Sequence, residues 1–145
     1  MRELYQEMIL DHNKRPRNQG VVDEANAHAD GHNPLCGDTI HLTLMVEGGR
    51  VKDVKFEGHG CAISTASASL MTEAVMGKTV EEAHDLFQRF HRMVTEDGYV
   101  DDSEEFERLV VLAGVKEFPN RVKCATLAWH TLESALSGQA EVSTE

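Results

Sequence analysis

Three cysteines and one aspartate are the residues best suited to chemistry: Cys36 and Asp38 in Leu-Cys-Gly-Asp, Cys61 in Gly-His-Gly-Cys-Ala, and Cys124 in Arg-Val-Lys-Cys-Ala. Together they can supply four metal ligands. Thiolate sulfur suits zinc or iron-sulfur chemistry, and an oxygen in the fourth place binds less tightly than sulfur, so such a site can be opened. The competing reading is three unrelated structural thiols, because free Cys is among the most buried residue types. The glycines beside Cys36 and Cys61 favour exposed turns over core. The spacing is nevertheless long and weaker than a paired Cys-x-x-Cys, so the residues alone leave both readings open.

The elements expected around these residues shape their reactivity. Cys61 and Cys124 are expected in the first turns of helices, where unpaired N–H groups and the helix dipole stabilise negative charge on sulfur. Cys36 and Asp38 belong to a loop entering a strand, with one glycine between them, so both can turn toward one ion. Three thiolates and a carboxylate carry excess negative charge, which Arg121 and Lys123 beside Cys124 could offset, although ordinary surface charge explains them as well. His59, two residues before Cys61, could be a spare ligand or proton carrier. Of the other histidines, His12 reads as a cap of the first helix, and His28, His32, His41, His84, His91 and His130 have no partner at ligand spacing. No serine sits in a Gly-x-Ser-x-Gly elbow, which disfavours serine hydrolysis.

With 145 residues the chain fits one domain, residues 1–145, that needs no disulfides to hold a core. An odd cysteine count points to a reducing, cytoplasmic setting. Acidic residues number 25 against 14 basic ones, a net charge of −11 with histidine neutral, which argues against nucleic acid as a partner. No apolar run is long enough to span a bilayer, and membrane association is not expected.

Leu4, Tyr5, Met8 and Ile9 lie on one helical face, predicting a first helix over Arg2 to His12. Alternation through Ile40, Leu42, Leu44 and Val46, the Gly48-Gly49 turn, and Val54 with Phe56 predict a hairpin, with a third strand near His28 to His32. After Cys61, small residues through Met76 read as a helix that approaches the sheet closely. Thr79-Val80-Glu81-Glu82 matches a capping box for the next helix, with Leu86, Phe87 and Phe90 on its apolar side. Thr95 to Glu105 reads as a solvated connection, and Phe106 to Ala113 as a short helix. A last helix starts at Pro119 and ends at Gly138, leaving residues 139–145 as a flexible tail.

Tyr5-Gln6-Glu7-Met8-Ile9-Leu10-Asp11-His12, Arg15-Pro16-Arg17-Asn18, Asn33-Pro34-Leu35-Cys36-Gly37-Asp38 and Gly58-His59-Gly60-Cys61-Ala62-Ile63-Ser64 resemble the signatures of the U-type iron-sulfur cluster assembly proteins. That family includes IscU scaffolds, the amino-terminal domain of NifU, and SufU. IscU scaffolds have a histidine before the third cysteine and a Leu-Pro-Pro-Val-Lys segment read by a chaperone. This chain has Lys123 and Phe118-Pro119-Asn120-Arg121-Val122-Lys123 there, and a longer Phe90 to Val115 region; both features resemble the SufU branch. The resemblance implies an α+β fold, a small antiparallel three-stranded sheet covered by about five helices. It implies zinc held by Cys36, Asp38, Cys61 and Cys124, and a pyridoxal-phosphate cysteine desulfurase of the SufS or IscS type passing persulfide sulfur to Cys36, a sulfurtransferase role. The alternative is a scaffold for a transient 2Fe–2S cluster on the same ligands. In either case the recipients are apo iron-sulfur proteins or a separate scaffold.

Overall fold

The computed structural model describes residues 2–34, 37–138 and 141–143. In chain order it has α1 (Arg2–Lys14), β1 (Ala27–Asn33), β2 (Asp38–Glu47), β3 (Arg50–His59), α2 (Ala62–Val75), α3 (Val80–Thr95), two 3₁₀ segments (Glu104–Phe106 and Leu109–Glu117), α4 (Pro119–Ser137) and β4 (Glu141–Ser143). The expected α+β architecture is present: β1, β2 and β3 form an antiparallel sheet, and the helices cover one of its faces.

Hairpin β2–β3 closes through Gly48 and Gly49, whose φ values of 62° and 75° suit the two-residue turn that follows the strands' own twist. Strand alternation puts Ile40, Leu42, Leu44, Val51, Val54 and Phe56 into the core, while His28, Asp30, His32 and Glu57 are exposed. Helix α4 lies close over β1 because Gly31 has no side chain: a Cβ there would collide with Thr131 Oγ1 and crowd Leu127. The small residues of α2 allow a similar approach to α4, with Ser67 Oγ donating to the Ala125 carbonyl at 2.5 Å. Phe90 of α3 stacks on Trp129 of α4, ring centroids 4.6 Å apart, in the same continuous core.

Three expectations need correction. Within the expected tail, Glu141–Ser143 pair in parallel with Asp30, Gly31 and His32 and extend the antiparallel sheet by a short edge strand. Backbone hydrogen bonding, rather than side-chain periodicity, holds a strand that short. The helix expected near Phe106 to Ala113 is instead two 3₁₀ pieces, the second running to Glu117. Finally, the acidic connection after α3 is anchored. Arg89 donates to both carboxylate oxygens of Asp101 (2.8 and 3.1 Å) and to Ser103 Oγ (2.6 Å), and its guanidinium stacks on Phe106.

Candidate metal centre

The β-sheet and two helices converge at one end of the molecule. Asp38 is the first residue of β2, Cys61 precedes α2, and Cys124 lies in α4. Their ligand atoms all lie within 4.8 Å of one another, so three of the four expected residues come together across 86 residues of sequence (124 minus 38). The fourth, Cys36, lies outside the described residues.

Each side chain is held for a local reason. Cys61 is the N-cap of α2, with φ −70° and ψ 166°, and its Sγ accepts from the Ser64 backbone N–H at 3.4 Å. Its own N–H donates to Asp38 Oδ1 at 2.8 Å, and its sulfur stands 3.9 Å from Oδ2. Cys61 is solvent-accessible, whereas Asp38 and Cys124 are buried. Gly60 makes the approach possible: a Cβ at that position would run into the Asp38 carboxylate. Gly58, at φ 149°, brings the β3 backbone so near Thr39 that any side chain would strike its carbonyl oxygen.

Cys124 differs from the expectation. It is the sixth residue of α4, in the second turn, where its N–H is already part of the helix ladder and the terminal dipole has largely faded. The helix-start position therefore belongs to Cys61 and not to Cys124. Arg121, expected to offset charge at the site, has its guanidinium over the Phe118 ring at 4.9 Å. His59 ends β3 as an exposed residue and is not in the Asp38, Cys61 and Cys124 group.

Two residues were not singled out by spacing. Asn33 is fully buried at the end of β1, and its Nδ2 donates to Asp38 Oδ2 (3.4 Å) and Cys124 Sγ (3.7 Å). Its Oδ1 is a buried oxygen with no donor among the described residues. The signal was its place in the Asn33-Pro34-Leu35-Cys36-Gly37-Asp38 motif. His12 does not cap α1. It is fully buried, with Nδ1 2.7 Å from Ser69 Oγ and Nε2 3.1 Å from the Arg108 guanidinium, and burial lowers its pKa.

A buried carboxylate and a buried thiol sharing one asparagine amide, with a second thiol beside them, form a donor set that suits a thiophilic divalent ion. An ion would compensate the cost of burying such groups close together.

The model of the NifU-like N-terminal domain matches residues 4–140. The zinc-dependent sulfurtransferase SufU of Bacillus subtilis (strain 168) is 46% identical over 134 residues, covering 92% of this chain and 90% of that protein. The iron-sulfur cluster assembly scaffold protein IscU of Streptococcus pyogenes serotype M1 is 43% identical over 141 residues, 97% of this chain and 87% of that one. Among solved structures, a candidate cluster assembly scaffold for the SUF system from Fervidobacterium islandicum AW-1 superposes with a TM-score of 0.84 at 39% identity, covering 92% of this chain and 97% of that one. On the strength of this match and the shared fold, the chain belongs to the NifU-like N-terminal domain family of iron-sulfur cluster assembly proteins.

Proposed function

We propose that this chain is a zinc-dependent sulfur acceptor that takes persulfide sulfur from a cysteine desulfurase for iron-sulfur cluster assembly. The observation that carries the reading is the convergence of Asp38, Cys61 and Cys124, in a chain 46% identical to a protein named for that activity. Cys36, Asp38, Cys61 and Cys124 would hold the zinc. Bound zinc keeps its thiol ligands deprotonated and shields them from oxidation.

The protein's own groups divide the work. Asn33 and the Cys61 N–H hold the Asp38 carboxylate in a fixed orientation, so it need not reorganise to bind. Cys124 is anchored in a buried helix and Cys61 at a helix cap. Cys36, two residues before Asp38 in the sequence, is the ligand expected to leave. Its thiolate would attack the outer sulfur of the desulfurase persulfide, forming a new S–S bond as the old one breaks and the desulfurase cysteine departs as thiolate.

The test incubates the protein with a pyridoxal-phosphate desulfurase and cysteine, then maps persulfide by mass spectrometry. Sulfur on Cys36, and loss of desulfurase stimulation in Cys36→Ser, are expected. Sulfur found only on Cys61 or Cys124, with Cys36→Ser still stimulating, would overturn the acceptor assignment. The scaffold reading shares these ligands and is favoured by the 43% identity to a protein named as a scaffold; a 2Fe–2S absorption spectrum after anaerobic iron and sulfide loading would separate it.

A further inference from the structure

On the α3–α4 pair, with none of the thiol-centre residues among them, three histidines gather around one phenylalanine. Phe87 meets His130 edge-on at 5.2 Å, and His84 and His91 at 6.5 and 6.1 Å between ring centroids. His91 and His130 also meet edge-on, with centroids 5.9 Å apart and planes at 74°. One ring comes from each helix, and the two helices are fixed in the core by Phe90 stacked on Trp129.

That separation is informative. A ligating nitrogen lies about 1.1 Å from its ring centre and about 2.0–2.1 Å from the ion, so a shared ion stands about 3.2 Å from each centroid. Two rings on one ion are then about 4.5 Å apart at a right angle, about 5.2 Å at a tetrahedral angle and about 6.4 Å when opposed. The observed spacing falls between these limits. Among the described residues neither ring forms a hydrogen bond, whereas His84 Nδ1 is engaged with Glu133 Oε1 at 2.8 Å. The neighbouring cation, Arg92, is occupied by Glu96 and the Tyr99 ring. Burial, with a smaller contribution from His91, lowers the pKa of His130 and so favours its neutral, ligating form. Exposed His91 leaves the pair open to solvent, and Glu133, one turn beyond His130, stands at its rim.

We infer that His91 and His130 form a second metal site, a two-imidazole clamp between α3 and α4 for a borderline divalent ion such as Ni²⁺, Cu²⁺ or Zn²⁺. Imidazole favours these ions, and the clamp differs in ligand type from the sulfur-rich centre. Its existence does not depend on the sulfur-transfer reading.

The test titrates Ni²⁺ into the full-length zinc-loaded protein and follows the imidazole NMR resonances, with zinc release monitored in parallel. The expected result is paramagnetic broadening of His91 and His130 ahead of the other histidines, with zinc retained. His91→Ala and His130→Gln should each weaken binding about tenfold or more, since even the loss of an outer-shell partner typically costs that much. His84→Ala should leave binding unchanged. Broadening that starts at His28, His41 or His59, nickel that binds only by displacing zinc, or undiminished binding in His91→Ala would overturn the proposal. Because His91 is exposed, its variant tests the site even if His130→Gln fails to fold.

Discussion

The backbone N–H of Cys61 donates to Oδ1 of Asp38 at 2.8 Å, while the Cys61 sulfur lies 3.9 Å from Oδ2 of the same carboxylate. One oxygen thus fixes the carboxylate to the start of α2, and the other is left among the sulfur atoms and the Asn33 amide. Removing this carboxylate loosens both the ligand set and the turn that presents Cys61. Asp38→Ala is therefore expected to retain zinc but exchange it faster with a chelator, with water taking the oxygen position. Unchanged exchange would show that Asp38 is not a ligand.

Gly60→Ala tests the same contact from the other side. The added Cβ would meet the Asp38 carboxylate, a buried group held by Asn33 that has little room to yield. Zinc affinity should fall while the core remains folded. Gly58→Ala should do more damage: it combines a left-handed φ with a clash against backbone, so a loss of about 1–3 kcal/mol or more is expected in chemical denaturation.

Asp101 couples the 3₁₀ region to α3. The Arg89 guanidinium beside it holds its carboxyl far below the ordinary value of 3.8. A depressed carboxylate pKa contributes stability that is fully present above the unfolded value and lost as pH falls through the folded value. Asp101→Asn should cost about 1–3 kcal/mol at pH 7, as expected for a mostly buried partner of a charged group, and the gap from wild type should narrow only below about pH 4. Thermal melts at pH 7 and pH 2.5 measure this; a gap unchanged between the two would contradict it.

His12 makes the fold acid-sensitive in the same direction but in a higher pH window. Burial lowers its pKa from 6.5, with Arg17 adding to the effect and Glu73 opposing it. The unfolded chain then takes up a proton that the native protein resists, so stability falls as pH drops from about 7 through the unfolded value toward the folded one. His130 is shifted in the same direction, so His12→Gln should flatten part of the slope of melting temperature between pH 7 and 5. A slope identical to wild type would exclude His12 as a contributor.

The parts of the fold with a strong local signal were legible in the sequence. Alternating Ile40, Leu42 and Leu44, the paired glycines at 48 and 49, and the capping box at Thr79 and Glu82 all appear in the structure, the last with both reciprocal hydrogen bonds. What escaped depends on contacts distant in sequence. Strand β4 exists because its backbone finds the edge of β1. Asn33 matters because β1 carries it to Cys124, and His12 is buried because α1 lays it against Ser69. The four-residue metal set could be suspected from residue type, yet only the meeting of β2, α2 and α4 distinguishes it from separate structural thiols.

The most direct measurement is elemental analysis of protein purified without oxygen, together with its Cys61→Ser and Cys124→Ser variants. A tetrahedral site built from one such ligand set predicts about one zinc per chain in the wild type, with marked loss in both variants. A wild-type protein without zinc, one that holds only iron, or variants that keep the full zinc content would contradict a zinc-based sulfur acceptor.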